Sequence, residues 1–145
     1  MRGNIYLRLQ WTEDLSVGVQ EVDSQHKELF IRANDLLEAM KRGKGREEVR
    51  ELIRFLDDYT IMHFGLEERY MLEYEYPDYL SHKQKHSQFM EKIRDEKKEL
   101  ESEGVTVDAA ARIGLFLTQW WIEHIRNVDK LLGIFLKKKG VTPAS

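Results

Sequence analysis

Apolar residues recur at spacings of three and four through four long stretches of this 145-residue chain, and short breaks separate the stretches. That spacing is one face of an α-helix, because a turn takes 3.6 residues. A helix with such a stripe must bury it against a partner, so the chain is committed to packing helix on helix. The first stretch, 20–42, carries Val22, His26, Leu29, Phe30, Ala33, Leu36, Leu37 and Met40 on its stripe. It closes in Lys41-Arg42-Gly43, with cations at the negative end of the helix dipole and then a glycine stop. Lys44-Gly45 completes the turn.

The second stretch, 46–73, turns inward Val49, Leu52, Ile53, Leu56, either Tyr59 or Thr60, then His63, Glu67, Tyr70 and Met71. Tyr74-Glu75-Tyr76-Pro77-Asp78 ends it, since proline is rarely found inside a helix. The third, 78–103, turns inward Tyr79, His82, His86, Phe89, Met90, Ile93 and Leu100. Its mixed-sign run from Glu91 to Glu103 reads as a solvated face with charge pairs one turn apart. Gly104 reads as the stop and Thr106 as the cap of the next helix. The fourth, 107–138, bears a broad band of Ala110, Ile113, Gly114, Leu117, Trp120, Trp121, His124, Val128, Leu131, Leu132 and Phe135. Lys137-Lys138-Lys139 complements its C-terminal end, and Val141 to Ser145 reads as a frayed tail.

Connections of about four residues make neighbouring helices antiparallel. The expected fold is therefore all-α: an up-down-up-down antiparallel four-helix bundle, one domain over 1–145. Residues 1–18 read as an extended N-terminal arm. There Ile5, Leu7, Leu9 and Trp11 alternate, Trp11 is the anchor, and Ser16-Val17-Gly18 leads into the first helix. The charge balance of −3 implies no basic face, so nucleic acid is not an expected partner. The absence of cysteine excludes disulfides, thiolate metal sites and iron–sulfur clusters. No signal-type apolar run opens the chain, and no stretch approaches the ~18–20 apolar residues of a membrane span. A cytoplasmic protein with no membrane insertion is the expectation.

The chain has five histidines, and all of them fall on inward stripes: His26, His63, His82, His86 and His124. One inward histidine is most simply a hydrogen-bonded core residue. Five are harder to satisfy, because a buried polar group without a partner costs roughly 1–3 kcal/mol. His82 and His86 stand four residues apart, which stacks two imidazoles on one helix face. His63 and Glu67 share that spacing. His124 and Asp129 are five apart, a rotation of roughly 140° on an ideal helix, so they share a site only through unequal side-chain reach or a local bulge. In an up-down-up-down bundle all these positions fall toward one end. Imidazoles and carboxylates without thiolate suit zinc, copper, iron or nickel better than magnesium or calcium. Five imidazoles and two carboxylates exceed the four ligands of one zinc, and two metals bridged by the carboxylates fit the count.

These residues form a recognisable pattern. Trp11 with Ser16-Val17-Gly18, Asp23-Ser24-Gln25-His26-Lys27, His63-Phe64-x-x-Glu67-Glu68-x-Tyr70-Met71, His82-x-x-x-His86 and Trp121-x-x-His124-Ile125-x-x-x-Asp129-Lys130 resemble the hemerythrins, most closely the bacterial single-domain ones. The resemblance runs from about Leu9 to Leu136. It implies two non-haem iron ions per chain with a bridging oxo or hydroxo group. On that reading His82, His86 and His124 bind one iron, His26 and His63 bind the other, and Glu67 and Asp129 bridge them. The ligands then fill all but one position, on the two-histidine iron, and that is where the family places dioxygen. Trp120, Trp121 and Ile125 resemble the family's apolar pocket lining.

The resemblance implies reversible dioxygen binding for carriage, storage or delivery, with a protein that receives the oxygen as a further partner, and no enzyme activity. Oxygen or redox sensing, di-iron oxidase activity and nitric oxide scavenging are the alternatives. Di-iron oxidases built on bundles use carboxylate-rich sites with Glu-x-x-His on two helices. Here no histidine has a glutamate three residues before it; Asp23 with His26 is the nearest case.

Overall fold

Four helical rods run along the bundle. In the computed structural model, which describes residues 10–43 and 46–141, α1 spans Gln20–Lys41, α2 Arg46–Glu73 and α3 Tyr79–Glu103. The last rod comprises α4, Val107–His124, a π turn over Ile125–Asp129, and α5, Lys130–Lys138. No strand occurs among the described residues, and α1 packs on both α2 and α4 while α2 packs on α3. The expected all-α four-helix bundle is the fold observed. The alternation at Ile5, Leu7 and Leu9, the turn at Lys44-Gly45 and the tail beyond Val141 lie outside the described residues.

The helix ends follow local chemistry. Glu21 and Asp23 sit in the first turn of α1 and Lys41 in its last, matching the helix dipole. Between α2 and α3 the chain turns through Glu75 at φ 56, with Pro77 just beyond. Gly104 ends α3, and the Thr106 side chain accepts from the Ala109 N–H at 3.0 Å to cap α4.

The stripes meet in one core that includes Leu29, Phe30, Leu36, Leu56, Phe89, Ile113, Leu117 and Leu136. Of the pair left open in the sequence, Thr60 is buried and Tyr59 only partly so. Two expectations change. Leu131, assigned to the inward band, is 55% exposed, because the π turn resets the phase of α5, which keeps Leu132 inward as expected and adds Leu136. Glu96, assigned to the solvated face of α3, is 4% exposed, and Arg112 of α4 donates to both of its carboxylate oxygens.

Residues 10–19 lie along the bundle as the expected arm, interrupted by a 3-10 turn at Glu13–Leu15. Trp11 packs against Phe30, and Leu15, Val17 and Val19 are buried. Asp23 pins the arm: one carboxylate oxygen accepts from Ser16 Oγ at 2.6 Å and the other from the Val17 N–H at 2.9 Å. The arm crosses α5 where Gly133 leaves room for it, since a Cβ there would run into the Val17 carbonyl oxygen. Arg126 and Lys130 hold the arm from the last rod, both through Asp14.

Candidate metal centre

Each rod brings part of one cluster. α1 contributes His26 near its start, α2 contributes His63 and Glu67, and α3 contributes His82 and His86 near its start. The last rod contributes His124, the final residue of α4, and Asp129, the final residue of the π turn. In antiparallel rods an early position on α1 and α3 faces a late position on α2 and α4, so the groups meet at one level. All seven are buried, none more than 3% exposed.

The π turn is what brings Asp129 in. The Lys130 N–H donates to the Ile125 carbonyl, five residues back, so the fifth residue returns over the first instead of swinging away. Asp129 Oδ1 then lies 3.1 Å from His124 Nε2.

The two carboxylates lie between two sets of imidazoles. Glu67 Oε1 is 3.0 Å from His86 Nε2 and 3.5 Å from His82 Nε2. Its other oxygen, Oε2, is 3.4 Å from His63 Nε2 and 3.7 Å from His26 Nε2. Asp129 divides the same way: Oδ1 is 3.0 Å from His82 Nε2, and Oδ2 is 3.0 Å from His26 Nε2. Two groups of donors result, each within 4.8 Å internally: Glu67, His82, His86, His124 and Asp129, and His26, His63, Glu67 and Asp129.

None of these five Nε2 atoms and four carboxylate oxygens makes a hydrogen bond among the described residues. A buried orphan polar atom is rare in a folded protein, and nine aimed into one space are the signature of a metal site rather than of a core. The donor set, imidazole and carboxylate without sulfur, fits a first-row transition metal.

The electrostatics agree with a cavity built for positive charge. Burial opposes ionisation of Glu67 and Asp129, and for Asp129 Glu67 opposes it too, yet the facing imidazoles hold both well below the usual carboxylate range. Burial also opposes charge on His26 and His82, but Asp129 and Glu67 outweigh it and raise each to about 9. Burial dominates at His63 and His124, which are lowered.

Aromatic side chains enclose the cluster. Trp121 is 1% exposed, with its ring centroid 6.1 Å from that of His26 and 5.9 Å from that of His63. Ile125 is fully buried in the π turn. Trp120 is only partly buried and stacks on His124 at 4.3 Å, on the three-histidine side. Phe64, not singled out in the sequence beyond its place in the motif, stacks on His86 at 3.8 Å. Two outer partners were likewise not assigned: Gln25 Oε1 lies 2.8 Å from His63 Nδ1, and Glu68 Oε2 lies 2.9 Å from His86 Nδ1. The signal for both was adjacency to a ligand, which says nothing about direction.

Comparison with known proteins returns one family. Residues 17–134 match the family model described as the hemerythrin HHE cation binding domain. A bacteriohemerythrin of Pseudomonas aeruginosa is 32% identical over 121 residues, 83% of this chain and 76% of that one. A bacteriohemerythrin of Methylococcus capsulatus is 31% identical, covering 86% of this chain and 94% of the other. The crystal structure of a wild-type hemerythrin superposes with a TM-score of 0.79 at 31% identity, covering 87% of this chain and 95% of that one.

Proposed function

Because the chain belongs to the hemerythrin family, we propose that it binds dioxygen reversibly at a centre of two non-haem iron ions, for carriage, storage or delivery. His82, His86 and His124 hold one iron and His26 and His63 the other. Glu67 and Asp129, which belong to both donor groups, would be shared between the two, with the oxo or hydroxo group that the family resemblance implies. The observation that carries this reading is the division of the carboxylates, each with one oxygen toward the three-histidine group and one toward the two-histidine group.

Two ferrous ions held there would supply the two electrons that dioxygen takes on binding and gives back on release. The chain's residues make that exchange reversible. Five imidazoles and only two carboxylates give a donor set of low negative charge, unlike the carboxylate-rich sites of bundle oxidases. All four carboxylate oxygens face imidazoles, which leaves no free carboxylate to serve as a base. Trp121, buried against His26 and His63, would keep water from the two-histidine side, where the family resemblance puts the open position, and Ile125 is buried in the π turn beside His124.

Anaerobic reduction followed by air titration, watched by absorption, tests the reading. A visible band that forms with air, vanishes on deoxygenation and returns, in protein holding two irons per chain, is the expected result. A band that forms once and does not reverse, or a single metal per chain, overturns it.

A further inference from the structure

The two halves of the cluster differ in what stands behind them. A metal-binding histidine is held in place by the group that its other ring nitrogen meets. Behind His86, in the three-histidine half, stands a carboxylate: Glu68 Oε2 at 2.9 Å from Nδ1. Behind His63, in the two-histidine half, stands a neutral amide: Gln25 Oε1 at 2.8 Å from Nδ1. The Nδ1 atoms of His26 and His82 are buried and meet no hydrogen-bond partner among the described residues.

At His86 the outer partner has a task that packing cannot perform. Phe64 lies flat on the imidazole, centroid to centroid 3.8 Å with 5° between planes, and so fixes the plane of the ring. A half-turn about the Cβ–Cγ bond preserves that plane, and the stack is indifferent to it. The half-turn puts carbon where Nε2 had been and takes the donor out of the cluster. Only a polar partner distinguishes the two orientations, and Glu68 is placed to do so. As an acceptor it also requires the proton on Nδ1, which leaves the Nε2 lone pair facing Glu67 and free to bind a metal.

We propose that Glu68 is a positioning residue that fixes the orientation and tautomer of His86, and that its charge, set against the neutral Gln25, makes the three-histidine half the tighter metal site. The proposal rests on the metal-centre reading above. Glu68 itself reaches solvent: it is partly exposed in a groove between α2 and α3, beside Lys83, Met90 and Arg94, and stands outside the donor groups. Its effect passes through the imidazole. The i, i+1 relation with Glu67 serves both tasks, because neighbours on a helix point about 100° apart, one oxygen pair toward the cluster and the other toward the back of His86.

Metal titration with Co(II) under chelator competition tests this, in the unmutated chain and in three variants. The unmutated protein must first take two ions per chain; one or none sinks the site reading itself, and this proposal with it. Given two, Glu68→Leu is expected to weaken one of the two binding steps by tenfold or more and leave the other near its original value. Glu68→Gln keeps an acceptor of the same shape and covers the case in which the leucine variant fails to fold. It should keep the His86 tautomer, read by nitrogen NMR of the imidazole, while losing part of the affinity. Gln25→Glu should tighten the weaker step. Two unchanged binding steps in both Glu68 variants, or loss of both steps equally, would overturn the proposal.

Discussion

His124 Nε2 lies 3.1 Å from Asp129 Oδ1, five residues further along the same rod. On an unbroken α-helix those side chains would diverge by roughly 140°. The π turn closes the gap, at the cost of a weaker local hydrogen-bond pattern, and π turns recur where function requires such a bend. Asp129 then touches both halves of the cluster. Asp129→Ala should reduce bound metal from two ions per chain to one or none, with helical content unchanged. Metal analysis with circular dichroism reads this, and retention of both ions would show that Asp129 does not bridge.

Metal uptake should depend on pH in a stated direction. In the metal-free protein His26 and His82 stay protonated to about 9, because Asp129 and Glu67 outweigh burial. Their raised values contribute stability that is complete below the ordinary imidazole range and lost as pH rises through about 9. A metal ion must displace those protons. Apparent affinity is therefore expected to rise between pH 6 and 9, by up to about tenfold per pH unit for each proton released. A flat profile from chelator competition across that range would contradict the charge arrangement.

Most of this site was legible because helical periodicity and metal ligation speak through the same positions. His26, His63, Glu67, His82 and His86 stand on stripes whose inward direction the neighbouring apolar residues fix. Asp129 was not legible from periodicity, since nothing in Ile125-Arg126-Asn127-Val128 signals a π turn; the family resemblance supplied it. Glu68, Gln25 and Asp23 were not legible either. Each is a polar residue at a helix edge, and its partner depends on how a neighbouring element is rotated. Glu96 was hidden for the same reason, a carboxylate in a charged run that is buried only because Arg112 comes to meet it.

That buried pair gives a pH-dependent stability. Burial raises the Glu96 carboxyl, but the Arg112 hydrogen bonds and charge outweigh it and hold the group below its ordinary value of 4.5. A depressed carboxylate stabilises the fold above about pH 4.5, and the contribution fades as pH falls through the folded value. Arg112 is 39% exposed, and solvent screens the pair, so Glu96→Gln should cost about 1–2 kcal/mol at pH 7. In urea unfolding of the metal-free protein, the gap between variant and parent should shrink toward pH 4. A gap that widens in acid would contradict the assignment.

Gly133 permits the arm to cross α5. An added Cβ meets a backbone oxygen, which cannot rotate away as a side chain would. Gly133→Ala should therefore destabilise by about 1–3 kcal/mol, or lift the arm from the bundle. Thermal unfolding measures the first and hydrogen exchange at the Val17 amide, which donates to Asp23, measures the second. If Tm and that amide's protection are both unchanged, the arm does not pack as described.

Trp121 carries the most consequence for the proposed function. Its ring is buried against His26 and His63, the two-histidine half of the cluster. Its indole N–H meets no hydrogen-bond partner among the described residues, so its contribution there is volume. Truncation to alanine would cost about 3–5 kcal/mol and endanger the fold. Trp121→Phe keeps an aromatic ring and removes less volume. The space it opens lies beside the His26 and His63 imidazoles, and a polar space of that kind admits water. Water and the protons it brings favour irreversible oxidation of the ferrous centre over return of dioxygen. The air-exposed variant should hence lose its reversible absorption band at least tenfold faster than the parent, while still binding two irons. An unchanged decay rate, with both irons present, would mean that water reaches the centre by another route and that Trp121 is core packing alone.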